Sequence, residues 1–359
     1  MKIAIHKLLS LMLVLGVLGS FFTLLLWIVY SDSDTTPRSP PKSLKSGSAD
    51  STDCISCRDS IIEKAVEWHS HSWRRQESNN KKFRALLSGK CHGATKAVVT
   101  QANTPLGSRV VYDGEKRKPL QVTPALFSVF PKESPFGNTT WDTCSIVGNG
   151  GILANSTCGQ RIDSAQFVIR CNLPPLEGGY AKDVGNKTDL VTANPSILHE
   201  KFAGLMERRR PFVEGLRPYG NALILLPAFS YGHNTPVSLR ATYTLEDFQS
   251  PARPVFLSPD YLTTLARFWH SQGLPPARLS TGLIVASLAL ELCHNVHLYG
   301  FWPFSVHPHG HQPLTNHYYD NRESKKKIHA MPAEFDHLLR LHRQGVLRIH
   351  LGQCPANDG

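Results

Sequence analysis

From Cys144 to the C-terminus, short apolar runs alternate with longer stretches whose apolar residues recur every three or four positions. Runs at 145–148, 167–172, 189–193, 222–227, 254–257, 296–301 and 347–351 have the length and composition of strands. The patterns over 197–218, 259–272, 280–293 and 332–343 have the helical period. Strands separated by helices predict a single Rossmann-like α/β domain with a mostly parallel sheet. The 280–293 pattern is apolar on nearly every side (Leu283, Ile284, Val285, Leu288, Leu292), which places that helix inside. No repeat and no second long linker divides this stretch.

Upstream the pattern weakens. "EKAVEWHSHSW" and "NNKKFRALLSG" suit helices, and "SRVVYDGEKRKPLQVTP" suits a hairpin about Asp113-Gly114. Ser31 to Asp53 is Ser, Asp, Pro and Lys with almost nothing to bury, the composition of a flexible stem. Before it, Leu8 to Tyr30 is an uncharged apolar run of 23 residues, and about 20 cross a bilayer core. Lys2, His6 and Lys7 precede that run and Asp32 and Asp34 follow it, so the N-terminus is expected in the cytosol. The run ends in Trp27-Ile28-Val29-Tyr30 without the small-residue cleavage signal of a secretory leader. The expected division is a cytosolic tail over 1–7, a transmembrane signal anchor over 8–30, a stem over 31–75 and a lumenal domain over 76–359.

A lumenal body changes how eight cysteines are read: structural disulfides become the default. Cys54-Ile-Ser-Cys57 lacks a second such pair or a strand–helix unit, so it is assigned to stem disulfide chemistry rather than to zinc or redox catalysis. Sequons at Asn138, Asn155 and Asn186 fit a glycosylated lumenal surface. The net charge of +11 would suit nucleic acid, but the basic residues are dispersed and the topology holds the body away from it. No nucleic-acid partner is expected, and the charge implies a weak preference for anionic substrates.

Ligands of open α/β sheets bind beyond the carboxyl ends of the strands. Three strand ends carry suitable side chains: Asn149 in Gly148-Asn149-Gly150, Asn172 after "FVIRC", and Trp302 after "VHLYGF". Taken singly, the asparagines would also serve as turn caps and Trp302 as core. Ser280 sits at an N-cap position before the buried helix, so its hydroxyl, Thr281 and the backbone at Gly282 form a candidate phosphate cradle. His317 in "HYYD" and His329, five residues before Glu334, are candidates for proton transfer or for pairing with a leaving phosphate. His307, His309 and His311 alternate, but the intervening Pro308 and Gly310 favour a loop over a zinc-binding strand.

Together these pieces resemble the vertebrate-type sialyltransferase family. The large sialylmotif is matched by "CSIVGNGGILANSTCGQRIDSAQFVIRCNLPPLEGGYAKDVGNKTDL" and the small one by "RLSTGLIVASLALELCHNVHLYGF". "HYYD" matches the third motif, and His329 through Glu334 the very small one. The resemblance covers about residues 140–354, and "DVGNKTDLVTANPS", "YGFWPF", "HYYDN" and the late Cys354 are similar to the α2,8 branch. Within it, the match is nearest the members that add one or a few sialic acids to gangliosides or O-glycans.

The resemblance implies transfer of sialic acid from CMP-sialic acid, with inversion, to the 8-hydroxyl of a terminal sialic acid on a glycoprotein or glycolipid. His329 would be the general base and His317, protonated, would stabilise the departing phosphate. Ser280, Thr281 and Gly282 would support the CMP, while Asn149, Asn172 and Trp302 would position the donor. It implies disulfides Cys144–Cys293 and Cys158–Cys354 and leaves Cys171 reduced. Cys54, Cys57 and Cys91 then form an odd set, one of which would be available to join two chains as a homodimer. A Golgi membrane location follows from the topology and the resemblance. The only Asp-x-Asp triplet, Asp32-Ser33-Asp34, lies in the stem, so neither a metal nor a cofactor is expected.

Three rivals make different demands. A membrane-anchored oxidoreductase requires an acidic ribose ligand about 20 residues past the glycine turn; Asp163 is too near and position 170 is Arg. A lectin-like protein that binds sialylated glycans would tolerate loss of His329. An α2,3 or α2,6 linkage keeps the family and changes only the acceptor.

Overall fold

The computed structural model describes residues 52–69, 71–116, 118–137, 139–310, 312–322 and 329–354, with residues 52–57 as backbone alone. The 8–30 span, Asn138 and His311 lie outside the described residues. Among those described, no helix is long and apolar enough to cross a membrane.

Two short strands, β1 (Arg109–Val110) and β2 (Leu120–Gln121), pair antiparallel as the expected hairpin, with Asp113-Gly114 inside its loop. The main sheet comprises β3 (Trp141–Val147), β4 (Phe167–Arg170), β5 (Leu190–Thr192), β6 (Leu223–Leu226), β7 (Arg253–Phe256), β8 (Cys293–Tyr299) and β9 (Arg348–His350). Their order is β7-β6-β5-β4-β3-β8-β9, and every neighbouring pair is parallel. The chain winds outward from β3 to β7, then returns to lay β8 on the other side of β3. The order therefore reverses beside β3, where a crevice opens beyond the carboxyl ends.

Alternate residues feed separate cores. Ile146, Ile169, Leu190, Leu225 and Leu298 join one buried cluster. Val147, Val168, Val191, Ile224 and Tyr299 join the other. A sheet covered on both faces is what a parallel sheet requires, and it explains why the strands read as apolar runs rather than as alternation.

The Thr281–Leu292 helix is buried along almost its whole length, as its all-round apolarity demands. The 197–218 pattern, by contrast, is two helices, Pro195–Phe202 and Arg209–Leu216, separated where Ala203, Gly204 and Leu205 take positive φ. The helix Asn234–Asp247 escaped the apolar pattern because Thr235, Ser238, Thr242 and Thr244 stand on its buried side.

Two expectations change. The stem over 31–75 loses its second half: Thr52–His69 is a helix, and its Ile61, Ile62 and Ala65 are buried in the same core as Leu288 and Leu338. Apolar residues at that spacing form a stripe that packs rather than solvates. Cys91, counted among thiols able to bridge two chains, is a free cysteine only 1% exposed, so a second chain has no access to it.

Both disulfides exist. Cys144 joins Cys293 with Cα atoms 6.0 Å apart, and Cys158 joins Cys354 at 4.9 Å. The first staples β3 to the start of β8, at the end of β8 away from the crevice; the second pins the C-terminal segment to the turn after β3. Such crosslinks contribute roughly 2–4 kcal/mol each. Cys171 is buried and reduced, and burial pushes its thiol up to about 12, which keeps it unreactive.

Candidate active site

The turn after β3 is shaped by β8. Gly148 N–H donates to Tyr299 O at 2.8 Å and Gly150 N–H to Gly300 O at 3.1 Å. A Cβ on Gly150 would stand 2.6 Å from Gly300 O, and Gly300 itself has φ +71°. These glycines therefore let two strand ends close on each other. Their N–H groups are committed to β8, which removes them from any dinucleotide-type phosphate grip.

A belt of amides runs along the carboxyl edge. Asn149 Nδ2 donates to Cys171 O at 2.8 Å, and Asn149 O accepts from Tyr318 N–H at 2.9 Å. Its Oδ1 is buried and has no hydrogen-bond partner among the described residues. Asn172, in the left-handed region with φ 60°, accepts Asn194 N–H on Oδ1 at 3.0 Å. Asn194 Nδ2 then reaches Thr281 Oγ1 at 3.3 Å, at the mouth of the buried helix. Asn194 had no assigned role from sequence, although an Asn before Pro195 at a helix start was a usable signal.

The helix mouth is closed by a carboxylate. Ser280 is the N-cap: its Oγ accepts Leu283 N–H at 3.1 Å. Glu334 accepts Ser280 N–H at 2.8 Å and also the Ser280 hydroxyl proton. Burial raises the Glu334 pKa, opposed by these two donors and by His329. Glu334 thus clamps the N-terminal turns of Thr281–Leu292 and Met331–Arg343 together, and its negative charge complements the positive helix end. Gly282 packs against the ring of Phe301, which follows Gly300, so the helix mouth meets the glycine turn.

His329 stands just before the second of those helices. Its Nδ1 lies 2.8 Å from Arg278 O. A carbonyl only accepts, so Nδ1 carries the proton and the neutral ring keeps its lone pair on Nε2. His317 bridges to Gly150 across the turn, and its Nδ1 lies 2.7 Å from Asp320 Oδ1. Desolvation would raise Asp320, but the hydrogen bonds from His317 and Arg322 N–H outweigh it and hold the carboxyl below its usual range. The His317 ring stacks on Tyr319, centroids 5.1 Å apart and 7° from parallel. The carboxylate fixes the ring through Nδ1 and leaves Nε2 on the side away from Asp320.

Contacts thus link Asn149, Asn172, Thr281, Gly282 and His317 around one rim, and His329 joins it through Arg278 and the Ser280–Glu334 clamp. Trp302 differs: its ring is in the core against Phe304 and Phe335, and Nε1 donates to Val306 O at 2.7 Å. It shapes the wall from behind and has no indole donor to offer. His307 and His309 lie in a loop, where His309 N–H donates to His307 Nδ1 at 3.0 Å. Asn155 and Asn186 are exposed on turns.

Residues 98–346 match the model of glycosyltransferase family 29 (sialyltransferase), well over half of the chain. The chain belongs to this sialyltransferase family. It is 43% identical over 320 residues to human "Alpha-2,8-sialyltransferase 8E", covering 85% of each chain. To human "Alpha-2,8-sialyltransferase 8F" it is 45% identical over 284 residues, 79% of this chain and 71% of that one. A third relative, the Xenopus laevis "Alpha-N-acetylneuraminide alpha-2,8-sialyltransferase", is 45% identical over 285 residues, 79% of each. The crystal structure of a mammalian sialyltransferase shares the fold, with a TM-score of 0.50 and 21% identity over 75% of this chain and 94% of that one. As a family 29 member the protein is a glycosyltransferase.

Proposed function

We propose that this sialyltransferase transfers sialic acid from CMP-sialic acid to the 8-hydroxyl of a terminal sialic acid on a glycoprotein or glycolipid. The carrying observation is the pair of histidines at the rim, each with Nδ1 fixed against an oxygen, one a carbonyl and the other a carboxylate. The α2,8 linkage rests on the names of the relatives and on their extent of identity.

The acceptor oxygen attacks the anomeric carbon from the face opposite the CMP phosphate, which inverts that carbon. As the new C–O bond forms and the bond to phosphate oxygen breaks, His329 Nε2 takes the hydroxyl proton. The leaving CMP gains negative charge, which His317 as imidazolium stabilises. Thr281 and Gly282, at the N-terminus of a 12-residue helix, offer N–H groups to the same phosphate. Asn149, tied to Cys171 O and Tyr318 N–H, shapes one wall of the donor site, and the Asn172–Asn194 link holds the opposite wall. One phosphate held by N–H groups and an imidazolium requires no metal. Asn155 and Asn186, with Asn138, are proposed glycan sites. The proposed setting is the Golgi membrane, N-terminus cytosolic and catalytic domain lumenal.

The test uses the detergent-solubilised full chain, labelled CMP-sialic acid, EDTA, and matched glycans ending in galactose or in sialic acid. Transfer only to the sialylated glycan, with an α2,8 product linkage, supports the proposal. Transfer to the galactose-ended glycan keeps the family and overturns the linkage. Donor binding without transfer to either glycan overturns the acceptor class.

A further inference from the structure

The Asp113-Gly114 turn of the β1–β2 hairpin packs against the segment that follows β6. Gly114 N–H donates to Ser230 O at 2.9 Å, and Glu115 Oε1 accepts Gly232 N–H at 2.7 Å. Between these elements lies the Arg278 side chain. Its Nη1 is 3.5 Å from Asp113 Oδ2, and its guanidinium carbon is 4.8 Å from the centre of the Tyr231 ring. A Cβ at position 114 would stand 2.6 Å from Tyr231 Cζ and 2.8 Å from Arg278 Nη1, so glycine is what allows the loop to close over the guanidinium. The backbone carbonyl of the same Arg278 holds His329 Nδ1.

Resting on the assignment of His329 as base, we propose that Asp113, acting with Tyr231 through Arg278, is a positioning residue for His329. The coupling is mechanical and electrostatic. Glu334 holds Ser280 on one side of Leu279, while the guanidinium anchor holds Arg278 on the other, so the carbonyl at 278 is constrained from both ends. Asp113 is largely buried and its carboxylate pairs with the Arg278 guanidinium, so neutralising it removes that ion pair. A freed guanidinium turns to solvent and lets the carbonyl shift. His329 then loses its fixed acceptor, its neutral ring exchanges tautomers, and Nε2 is the base for only part of the time. Displacements of about an ångström remote from the chemistry cost up to about a hundredfold in rate.

The test compares Asp113→Asn, Asp113→Glu and His329→Ala in the solubilised full chain. It reads kcat, the KM for CMP-sialic acid, and CMP affinity by calorimetry. Asp113→Asn is expected to lower kcat by about ten- to a hundredfold while donor KM and CMP affinity stay within about twofold, and Asp113→Glu is expected to restore part of the loss. A kcat within twofold of wild type, or a parallel collapse of CMP affinity, overturns the positioning role. If Asp113→Asn yields no folded protein, Tyr231→Leu decides by the same split. An active His329→Ala would sink the base assignment itself; an inactive His329→Ala beside a normal Asp113→Asn sinks only the positioning role.

Discussion

Four histidines pack together where β8 and β9 meet the helices Thr52–His69 and Met331–Arg343, His342 buried and His69, His297 and His350 half-buried, and two others stand at the carboxyl edge of the same sheet. In the packed group, His69 stacks on His342 with centroids 4.8 Å apart, and His297 Nδ1 meets His350 Nε2 at 3.0 Å. Trp73, Tyr299 and Arg348 complete the packing. Burial pushes His69 and His297 down to about 4 and His342 to about 3, and His350 also falls well below its ordinary value. These rings are neutral packing units. At the rim, His317 and His329 are half-buried too, but each turns Nδ1 toward a fixed oxygen and Nε2 away from it. The difference lies in what stands behind the ring. Aromatic faces and other histidines make a core; a carboxylate or a lone carbonyl makes a tool.

Replacing His317 by Ala should separate the two groups sharply. Loss of one charge-stabilising donor costs about a hundredfold or more in kcat, with the unfolding midpoint unchanged. His350→Ala should do the reverse, lowering the midpoint while kcat per folded molecule holds. Activity and thermal unfolding measured on the same preparations check both.

Acid should act on the packed group first. The unfolded chain binds protons near the ordinary histidine value of 6.5, whereas the fold resists them until about 4 for His69 and His297. Between those values the unfolded state holds more protons, so stability is complete above pH 6.5 and is lost as pH falls through about 4. The summed loss is of the order of several kcal/mol. Denaturant titrations at stepped pH should show this slope, and His297→Phe should flatten it; a pH-independent midpoint would contradict the account.

Asp320→Asn is a smaller cut. It leaves His317 a neutral acceptor in place of a carboxylate, and kcat should fall by about tenfold. Steady-state kinetics beside CMP affinity read this directly. The smallest effect is expected for His69→Phe, which keeps a ring on His342 and removes a buried nitrogen, Nε2, that has no hydrogen-bond partner. Stability should move by less than about 1 kcal/mol, and kcat not at all.

The sheet was legible because a strand covered on both faces is a continuous apolar run, and the buried helix because Leu283 to Leu292 has no polar side. Asn149, Asn172 and Ser280 were legible for a related reason: each ends or begins an element, and local pattern marks such positions. Arg278 and Asp113 were not. They meet across 165 positions of chain through side chains that surface residues also carry, and no local period records such a pairing. Trp302 stood at a strand end like the asparagines, yet its bulk drew it into the core. The packed and rim histidines look alike in sequence, because what separates them is tertiary surroundings.

Single-turnover transfer by His329→Ala, with enzyme saturated by CMP-sialic acid and mixed with a sialylated acceptor, tests the central claim most directly. The account predicts a rate lower by about two to four orders of magnitude, with CMP affinity and unfolding midpoint at wild-type values. A rate within tenfold of wild type would contradict it and assign the proton to another group.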